Sequence, residues 1–246
     1  MNKLTVVMDK LIYKRYEDIN KCSSEYMAWK QLNNIIPNYV PDLVVKTPDL
    51  CVFEYLDEDN KPKSKKDLST FVGKMMVEIA KKYNPTEYIK GELWNNSLKE
   101  TRTKLSSNNN FFAETRNNKL YKILQRNLIK ISKTKFDVVT FVHRDIHKGN
   151  LISQGGNYFL IDHEHAMEGP IELELQNSIF WNDKMSLNVK VVKKAILNSG
   201  MSYSDKNERL LLSYYIADQI NIALGNNKPK KALKIMKKAI PQLELQ

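Results

Sequence analysis

The sequence is short of cysteine and of long apolar segments, and each shortage excludes a class of protein. Its 246 residues include two cysteines, Cys22 and Cys51, too few for a disulfide framework and without the paired spacing of a zinc site. No apolar run approaches the roughly 18 residues that a membrane-spanning helix needs. Charged residues interrupt the N-terminal apolar stretch, which excludes a signal-peptide core. We therefore expect both thiols to be reduced and packed in the core of a cytoplasmic protein.

Acidic residues are the minority charge. Lys and Arg number 39 against 28 Asp and Glu, a net charge of +11. From Lys184 to the last residue there are twelve basic and four acidic residues, so eight of the eleven excess positive charges lie in the last quarter. This basic C-terminal region is either a set of solvated helix faces or a surface that contacts an anionic partner, such as nucleic acid, anionic lipid or a phosphorylated substrate.

The N-terminal part alternates short apolar runs with turn residues, a pattern typical of strands. Between the strands a helix is predicted, capped by Ser23 or Ser24 and ended before Pro37. The predicted order is a hairpin of residues 4–8 and 11–16, this helix through EYMAWKQLNNII, and strands at VVKT and at residues 50–56.

Beyond residue 56 the pattern becomes mainly helical. The charged segment 57–67 is predicted to be a linker, and SSNNN at 106–110 a loop. Helical spacing of apolar residues covers 68–83, 117–132 and most of the chain after Pro170, interrupted by β-like runs at 138–143 and 157–162. The pattern predicts an α+β fold with a small β-rich N-terminal lobe, residues 1–56, and a larger, mainly helical C-terminal lobe, residues 57–246.

The densest functional signal is the sequence H-R-D-I-H-K-G-N at residues 143–150. It differs from the protein-kinase catalytic loop H-R-D-L-x-x-x-N only by isoleucine in place of leucine. The spacing suits phosphoryl transfer, because Asp145 can orient or accept the proton of an attacking hydroxyl while Asn150 can hold a metal ion. After a Gln-Gly-Gly-Asn turn, Asp162 ends the strand NYFLI and supplies a second metal-binding group.

On these residues the chain resembles the aminoglycoside phosphotransferase and choline kinase family of small-molecule kinases. The family's loop commonly reads H-G-D-L-H-x-G-N and its next strand ends I-D-W-E, whereas this chain has Arg144 for the glycine and His163 for the aromatic residue. The resemblance covers most of residues 11–180. An acidic residue further on anchors the loop in that family, and here Glu172 and Glu174 both fit.

The resemblance implies a bilobal protein-kinase-like fold and transfer of a γ-phosphoryl group from ATP or GTP to a hydroxyl of a small molecule. It implies that Asp145 is the catalytic base, that Asn150 and Asp162 hold Mg2+, and that His147 lies beside the nucleotide. His143 would support the loop. The excess of positive charge after residue 184 favours a neutral or anionic acceptor over a cationic aminoglycoside.

The same resemblance implies a nucleotide site in the N-terminal lobe. Lys14, or else Lys10, would contact the nucleotide phosphates and be held by Glu25. Glu54 and Leu56, in the sequence FEYL, would form the hinge whose backbone holds the adenine edge. Family members place a strand and a glycine-rich phosphate loop before the hairpin. Here ten residues precede Leu11 and none is glycine, so we expect a shortened N-terminal lobe.

Two alternatives remain. All four histidines lie between residues 143 and 165 among carboxylates, which without the family would suggest a metal-dependent hydrolase with zinc or a dinuclear centre. A pseudokinase that only binds a nucleotide or a partner is the second, favoured by the short N-terminal lobe and opposed by the intact Asp145, Asn150 and Asp162.

Overall fold

In this computed structural model, residues 3–8, 11–56, 64–84, 94–154, 157–183 and 186–244 are described. The chain forms two compact units, Met1–Glu92 with Val138–Tyr203 and Leu93–Asp137 with Ser204–Gln246. Residues 57–63 lie outside the described ranges, and the domain boundary expected after residue 56 stays a prediction. Within the described ranges, no helix has both the length and the apolar character to cross a membrane.

The N-terminal sheet of the first unit has four antiparallel strands in the order β1-β2-β4-β3. Its strands are β1 (Lys3–Met8), β2 (Leu11–Tyr16), β3 (Leu43–Lys46) and β4 (Leu50–Glu54). Pairing of β1 with β2 confirms the predicted hairpin, although its connecting residues 9 and 10 lie outside the described part. The predicted order of strand, strand, helix, strand, strand is confirmed.

Helix α1 (Ile19–Ile35) connects β2 to β3. Its N-cap is Asp18, whose carboxylate accepts a hydrogen bond from the N–H of Asn20 at 2.9 Å. The predicted cap at Ser23 or Ser24 is therefore wrong, because Asp18 already satisfies a free N–H group one turn earlier.

The two cysteines pack in a small buried cluster between α1 and the sheet. Both thiols are free, and their sulfur atoms lie 3.5 Å apart. Tyr16 and Phe53 complete the cluster. The expected core packing of Cys22 and Cys51 is confirmed.

Helix α2 (Lys65–Lys82) begins after Ser64, whose hydroxyl accepts a hydrogen bond from the N–H of Asp67 at 3.1 Å. Residues 64–67 therefore cap and start a helix, and their assignment to a linker is wrong. Helix α2 packs against a later helix of the same unit at Gly73, where a Cβ atom would lie 2.6 Å from the side chain of Ala195. Glycine is required there by the close approach of the two helices.

The rest of the first unit surrounds two small antiparallel sheets. Strand β5 (Val139–Val142) pairs with β8 (Met167–Pro170), and β6 (Leu151–Gln154) pairs with β7 (Asn157–Leu160). The predicted β-like runs on either side of the 143–150 loop are thus confirmed. Helices α6 (Gln176–Trp181) and α7 (Val189–Asn198) follow β8, with α7 packed on α2.

The second unit is helical in the part of the chain that is described. It contains α3 (Trp94–Ser107), α4 (Asn109–Glu114), α5 (Asn118–Ile131), α8 (Asp205–Gly225) and α9 (Pro229–Glu244). The loop expected at 106–110 is wrong except at Asn108, because the buried Phe112 holds the following residues in α4. Asn108 itself donates from its side-chain amide to Asn221 at 2.9 Å.

Candidate active site

Glu174 fixes the start of the 143–150 loop, which connects β5 to β6. Its buried carboxylate accepts hydrogen bonds from the N–H of His143 at 2.5 Å and from the N–H of Arg144 at 2.9 Å. Of the two acidic residues that the sequence left open, Glu174 rather than Glu172 is therefore the loop anchor.

His143 connects the loop to the strand before Asp162. Its Nε2 atom lies 3.1 Å from the carbonyl oxygen of Ile161, and its ring meets the His163 ring edge to face with centroids 5.4 Å apart. Burial, and then the neighbouring His163, lower the pKa of His143 well below its ordinary value. A neutral, buried imidazole supports the loop, as predicted.

Arg144 has left-handed backbone geometry, with φ of 68°. This conformation costs a non-glycine residue about 1 kcal/mol or more. Glycine, which the family pattern has at this position, would not carry that cost. In this chain the N–H of Arg144 is held by Glu174, and its Nη1 atom lies 3.2 Å from Met167 Sδ. The 143–150 loop thus tolerates arginine through contacts of both the backbone and the side chain of this residue.

Side-chain amides hold both oxygens of the Asp145 carboxylate. Oδ1 accepts a hydrogen bond from Asn177 Nδ2, and Oδ2 accepts one from Asn150 Nδ2 at 3.2 Å. His147 Nε2 lies 3.7 Å from Oδ2. Burial raises the pKa of Asp145, although His147 counteracts the shift. Asn177 was missed by sequence reasoning, since no known spacing marks an asparagine three residues after Glu174.

The pairing of β6 with β7 brings the chain at Asp162 back to Asn150. The N–H of Ile161 donates to the carbonyl oxygen of Asn150 at 3.0 Å, directly before Asp162. Asn150 uses its side-chain nitrogen on the carbonyl oxygen of Asp145 at 3.0 Å, which leaves its amide oxygen as the atom suited to a metal ion. His147 Nδ1 accepts a hydrogen bond from Gly149 at 2.9 Å and so caps the short turn that ends at Asn150.

Lys14 lies between two carboxylates. Its Nζ atom is 2.5 Å from Glu25 Oε1 and 3.2 Å from Asp162 Oδ1. Glu25 is fully buried and also accepts a hydrogen bond from the hydroxyl of Tyr16. Burial and the Glu25 carboxylate raise the pKa of Tyr16 well above its ordinary value, which keeps this hydroxyl a donor. The predicted pairing of Lys14 with Glu25 is confirmed as a contact, and its role in nucleotide binding stays a prediction.

Tyr16 was missed, although the sequence holds a signal for it. Residues i and i+2 of a strand point to the same face, so Tyr16 shares the face of Lys14 on β2. The alternative lysine, Lys10, lies outside the described residues.

Carboxylates rather than histidines can converge on one cation here. Within the described ranges, the group of three or more potential metal ligands is Glu25, Asp162 and Glu164, whose ligand atoms lie within 4.8 Å of one another. Oxygen donors are those that Mg2+ prefers, whereas the usual zinc sites include histidine or cysteine beside any carboxylate. The side chains present therefore fit a magnesium ion and do not support the zinc hydrolase.

A cavity with apolar walls adjoins the contact of Lys14 with Asp162. Ile12, Phe53 and Ile161 are among its lining residues. Of the predicted hinge residues, Glu54 ends β4 and accepts a hydrogen bond from the N–H of Asp42 at 3.2 Å, while Leu56 is buried. Their contact with an adenine ring stays a prediction.

The Glu174 anchor predicts a pH-dependent stability. Burial raises the pKa of Glu174 from 4.5 to about 7, although the two backbone N–H groups favour the ionised form. Between these values the folded state holds a proton that the unfolded state has lost, so the free energy of unfolding should fall as pH rises from 4.5 to 7. The Glu174 contribution is on the order of 3 kcal/mol.

Urea unfolding across this pH range measures the slope, with Glu174→Gln as the comparison. The glutamine variant should be less stable throughout, because one N–H of the loop loses its acceptor. Its free energy of unfolding should also depend less on pH, because glutamine does not titrate. An unchanged slope would show that Glu174 titrates normally.

The fold is that of known antibiotic phosphotransferases. The gentamicin complex of APH(2'')-IIa superposes with a TM-score of 0.72 at 13% sequence identity, covering 97% of this chain and 88% of that one. The ternary complex of APH(2'')-IIa with streptomycin and ATP superposes with a TM-score of 0.69 at 12% identity, covering 95% of this chain and 88% of that one. Macrolide 2'-phosphotransferase type I superposes with a TM-score of 0.67 at 12% identity, covering 96% of this chain and 86% of that one. The sequence itself matches no protein-family model and no curated protein. The predicted α+β, protein-kinase-like fold is confirmed.

Proposed function

We propose that this chain is an ATP-dependent phosphotransferase that moves the γ-phosphoryl group to a hydroxyl of a small molecule. One observation carries the proposal: Lys14 contacts both Glu25 and Asp162, while Asp162 follows the residue that is hydrogen-bonded to Asn150 of the catalytic loop. The solved structures with this fold include a complex with gentamicin and a ternary complex with streptomycin and ATP.

The nucleotide would bind where the cavity meets Lys14. The ammonium group would contact the nucleotide phosphates, and Glu25 and Tyr16 would hold it in place. The apolar walls at Ile12 and Phe53 suit the flat face of a purine. ATP is the donor we favour and GTP the alternative, and this donor agrees with the cytoplasmic location expected from the sequence.

Asn150 and Asp162 would hold Mg2+, with Glu164 close enough to Asp162 to assist. When bound, the ion would neutralise the charge of the nucleotide phosphates. Until then the Lys14 ammonium lies against Asp162 and limits the repulsion between Asp162 and Glu25.

Asp145 would orient the acceptor hydroxyl and take up its proton. The amide groups of Asn177 and Asn150 fix the plane of its carboxylate, which is the positioning that phosphoryl transfer requires. His147, 3.7 Å from that carboxylate, would lie beside the transferred group.

The acceptor would be a neutral or anionic compound with a hydroxyl group. Gentamicin and streptomycin, which bind the related fold, are polycations. Here the protein carries a net charge of +11, and such a net charge disfavours a polycation. ADP formation with gentamicin, a nucleoside and a sugar phosphate would compare a cationic, a neutral and an anionic acceptor.

Thermal unfolding with ATP or GTP, with and without Mg2+, tests the nucleotide site. We expect the melting temperature to rise with nucleotide and Mg2+ together, and the metal-dependent part to disappear in Asp162→Ala. Asp137→Ala removes an exposed aspartate of the second unit and should behave like the unchanged protein. If the melting temperature rises with nucleotide but no acceptor leads to ADP formation, the protein is a pseudokinase. If neither ATP nor GTP raises the melting temperature, the proposed nucleotide site is refuted.

A further inference from the structure

The net charge of the protein lies entirely in its second unit. Leu93–Asp137 and Ser204–Gln246 together contain 18 of the 39 basic residues and 7 of the 28 acidic ones. The first unit, with its catalytic loop, has the remaining 21 of each sign and is neutral. A charge of +11 on fewer than ninety residues opposes folding through self-repulsion. Its concentration there calls for a physical reason.

Basic residues form one exposed stripe on α5. Lys119, Lys122, Arg126 and Lys130 follow helical spacing of three, four and four residues and are all exposed. No acidic residue occurs in this helix. The opposite face, with Leu120, Leu124, Leu128 and Ile131, is buried.

A second stripe covers the exposed side of α9. Between residues 228 and 238 there are six lysines and no acidic residue. Four of them, Lys230, Lys231, Lys234 and Lys237, lie exposed on the helix itself. Its apolar residues Ala232, Ile235, Met236 and Ala239 are fully buried. Helix α8 packs against both α5 and α9, and α5 also contacts α9 directly. The exposed basic residues of these two adjacent helices are here called the basic face.

We propose that the basic face of α5 and α9 binds the phosphate backbone of duplex nucleic acid. Phosphate contacts by lysine and arginine release condensed counterions and supply sequence-independent affinity. A membrane is the poorer partner, because an interfacial helix needs an apolar face to insert and the apolar faces of both helices are buried. A single strand is also poorer, because its bases need aromatic rings to stack on. Tyr121, the one aromatic residue in the two helices, is half-buried against Phe112.

Fluorescence anisotropy of labelled DNA and RNA duplexes tests this surface on the full chain, independently of any kinase activity. We expect a dissociation constant of about 10⁻⁶ to 10⁻⁴ M that weakens steeply between about 50 and 200 mM salt. Charge reversal of Lys122, Arg126, Lys234 and Lys237 to glutamate should weaken binding at least ~10-fold and reduce the salt slope by about 3 to 4, near 0.9 per lost phosphate contact.

The matched control reverses four exposed lysines of the neutral unit, Lys65, Lys66, Lys74 and Lys190, and changes the net charge by the same amount. It should keep the salt slope of the unchanged protein. If the charge-reversed variant does not fold, the double substitution of Lys122 and Arg126 by glutamine replaces it. This variant should reduce the salt dependence of binding by about 2 in slope. Equal weakening in the control, absence of duplex binding in low salt, or binding to phosphatidylserine vesicles in preference to duplexes would each overturn the proposal.

Discussion

Asp145→Asn is expected to lower the rate of phosphoryl transfer by about 10²- to 10⁴-fold, the usual contribution of a positioned general base. An amide cannot accept the proton of the attacking hydroxyl. It would also present an NH2 group to Asn177 or Asn150, both of which now donate to the carboxylate. ADP formation with the best acceptor from the charge-class comparison measures the loss.

Nucleotide binding provides the control for this variant. Lys14 and Asp162, proposed to contact the phosphates and the metal ion, contact each other. Asn150, the other proposed metal ligand, keeps its hydrogen bond to the backbone carbonyl oxygen of residue 145, which the substitution leaves in place. The rise in melting temperature with ATP and Mg2+ should therefore persist in Asp145→Asn. Full transfer activity in this variant would remove Asp145 from the role of base. Asn177→Ala, which removes one orienting amide, should reduce kcat less and leave the melting shift unchanged.

The grouping of polar residues in the 143–150 loop could be predicted because it is local in sequence. Asp145 and Asn150 are five residues apart, and the pairing of β6 with β7 returns the chain to Asn150 directly before Asp162. Spacing alone therefore indicated the proximity of these three groups.

Contacts between distant segments could not be predicted in the same way. Glu174 binds the loop from some thirty residues away, while Glu172, two residues earlier, has the same chemistry. Asn177 reaches Asp145 from α6, a helix that begins only at Gln176. Tertiary packing decides such cases, and sequence pattern does not record it.

The distribution of charge was also only partly visible in the sequence. Counting from Lys184 to the end mixes residues of both units, because the second unit consists of two stretches separated by Val138–Tyr203 of the first unit. Helix α5 contacts α9 in the fold, but its basic residues lie about a hundred residues earlier in the chain. A charge count along the sequence therefore assigned to the C-terminal region a property of the whole helical unit.

Glu25→Ala is expected to destabilise the protein by about 3–5 kcal/mol, because removing one partner of a buried ion pair leaves the other uncompensated. Lys14 is largely buried and would keep its contact with Asp162, at 3.2 Å, and with the Phe53 ring, whose centroid is 5.4 Å from Nζ, but would lose its closest counter-charge. The hydroxyl of Tyr16 would also lose its acceptor. Urea unfolding of the nucleotide-free protein measures this change.

The combination of Lys14→Met, Tyr16→Phe and Glu25→Leu separates stability from function. It replaces the whole polar group by apolar side chains of similar volume, a change that is often neutral or stabilising for a buried ion pair. We expect it to recover most of the stability lost in Glu25→Ala and yet to show no melting shift with ATP and Mg2+, because the proposed phosphate contact is gone. Recovery of both stability and the nucleotide shift would mean that Lys14 and Glu25 serve only the fold. Recovery of stability alone would show that this chain keeps a costly buried charge pair for the nucleotide.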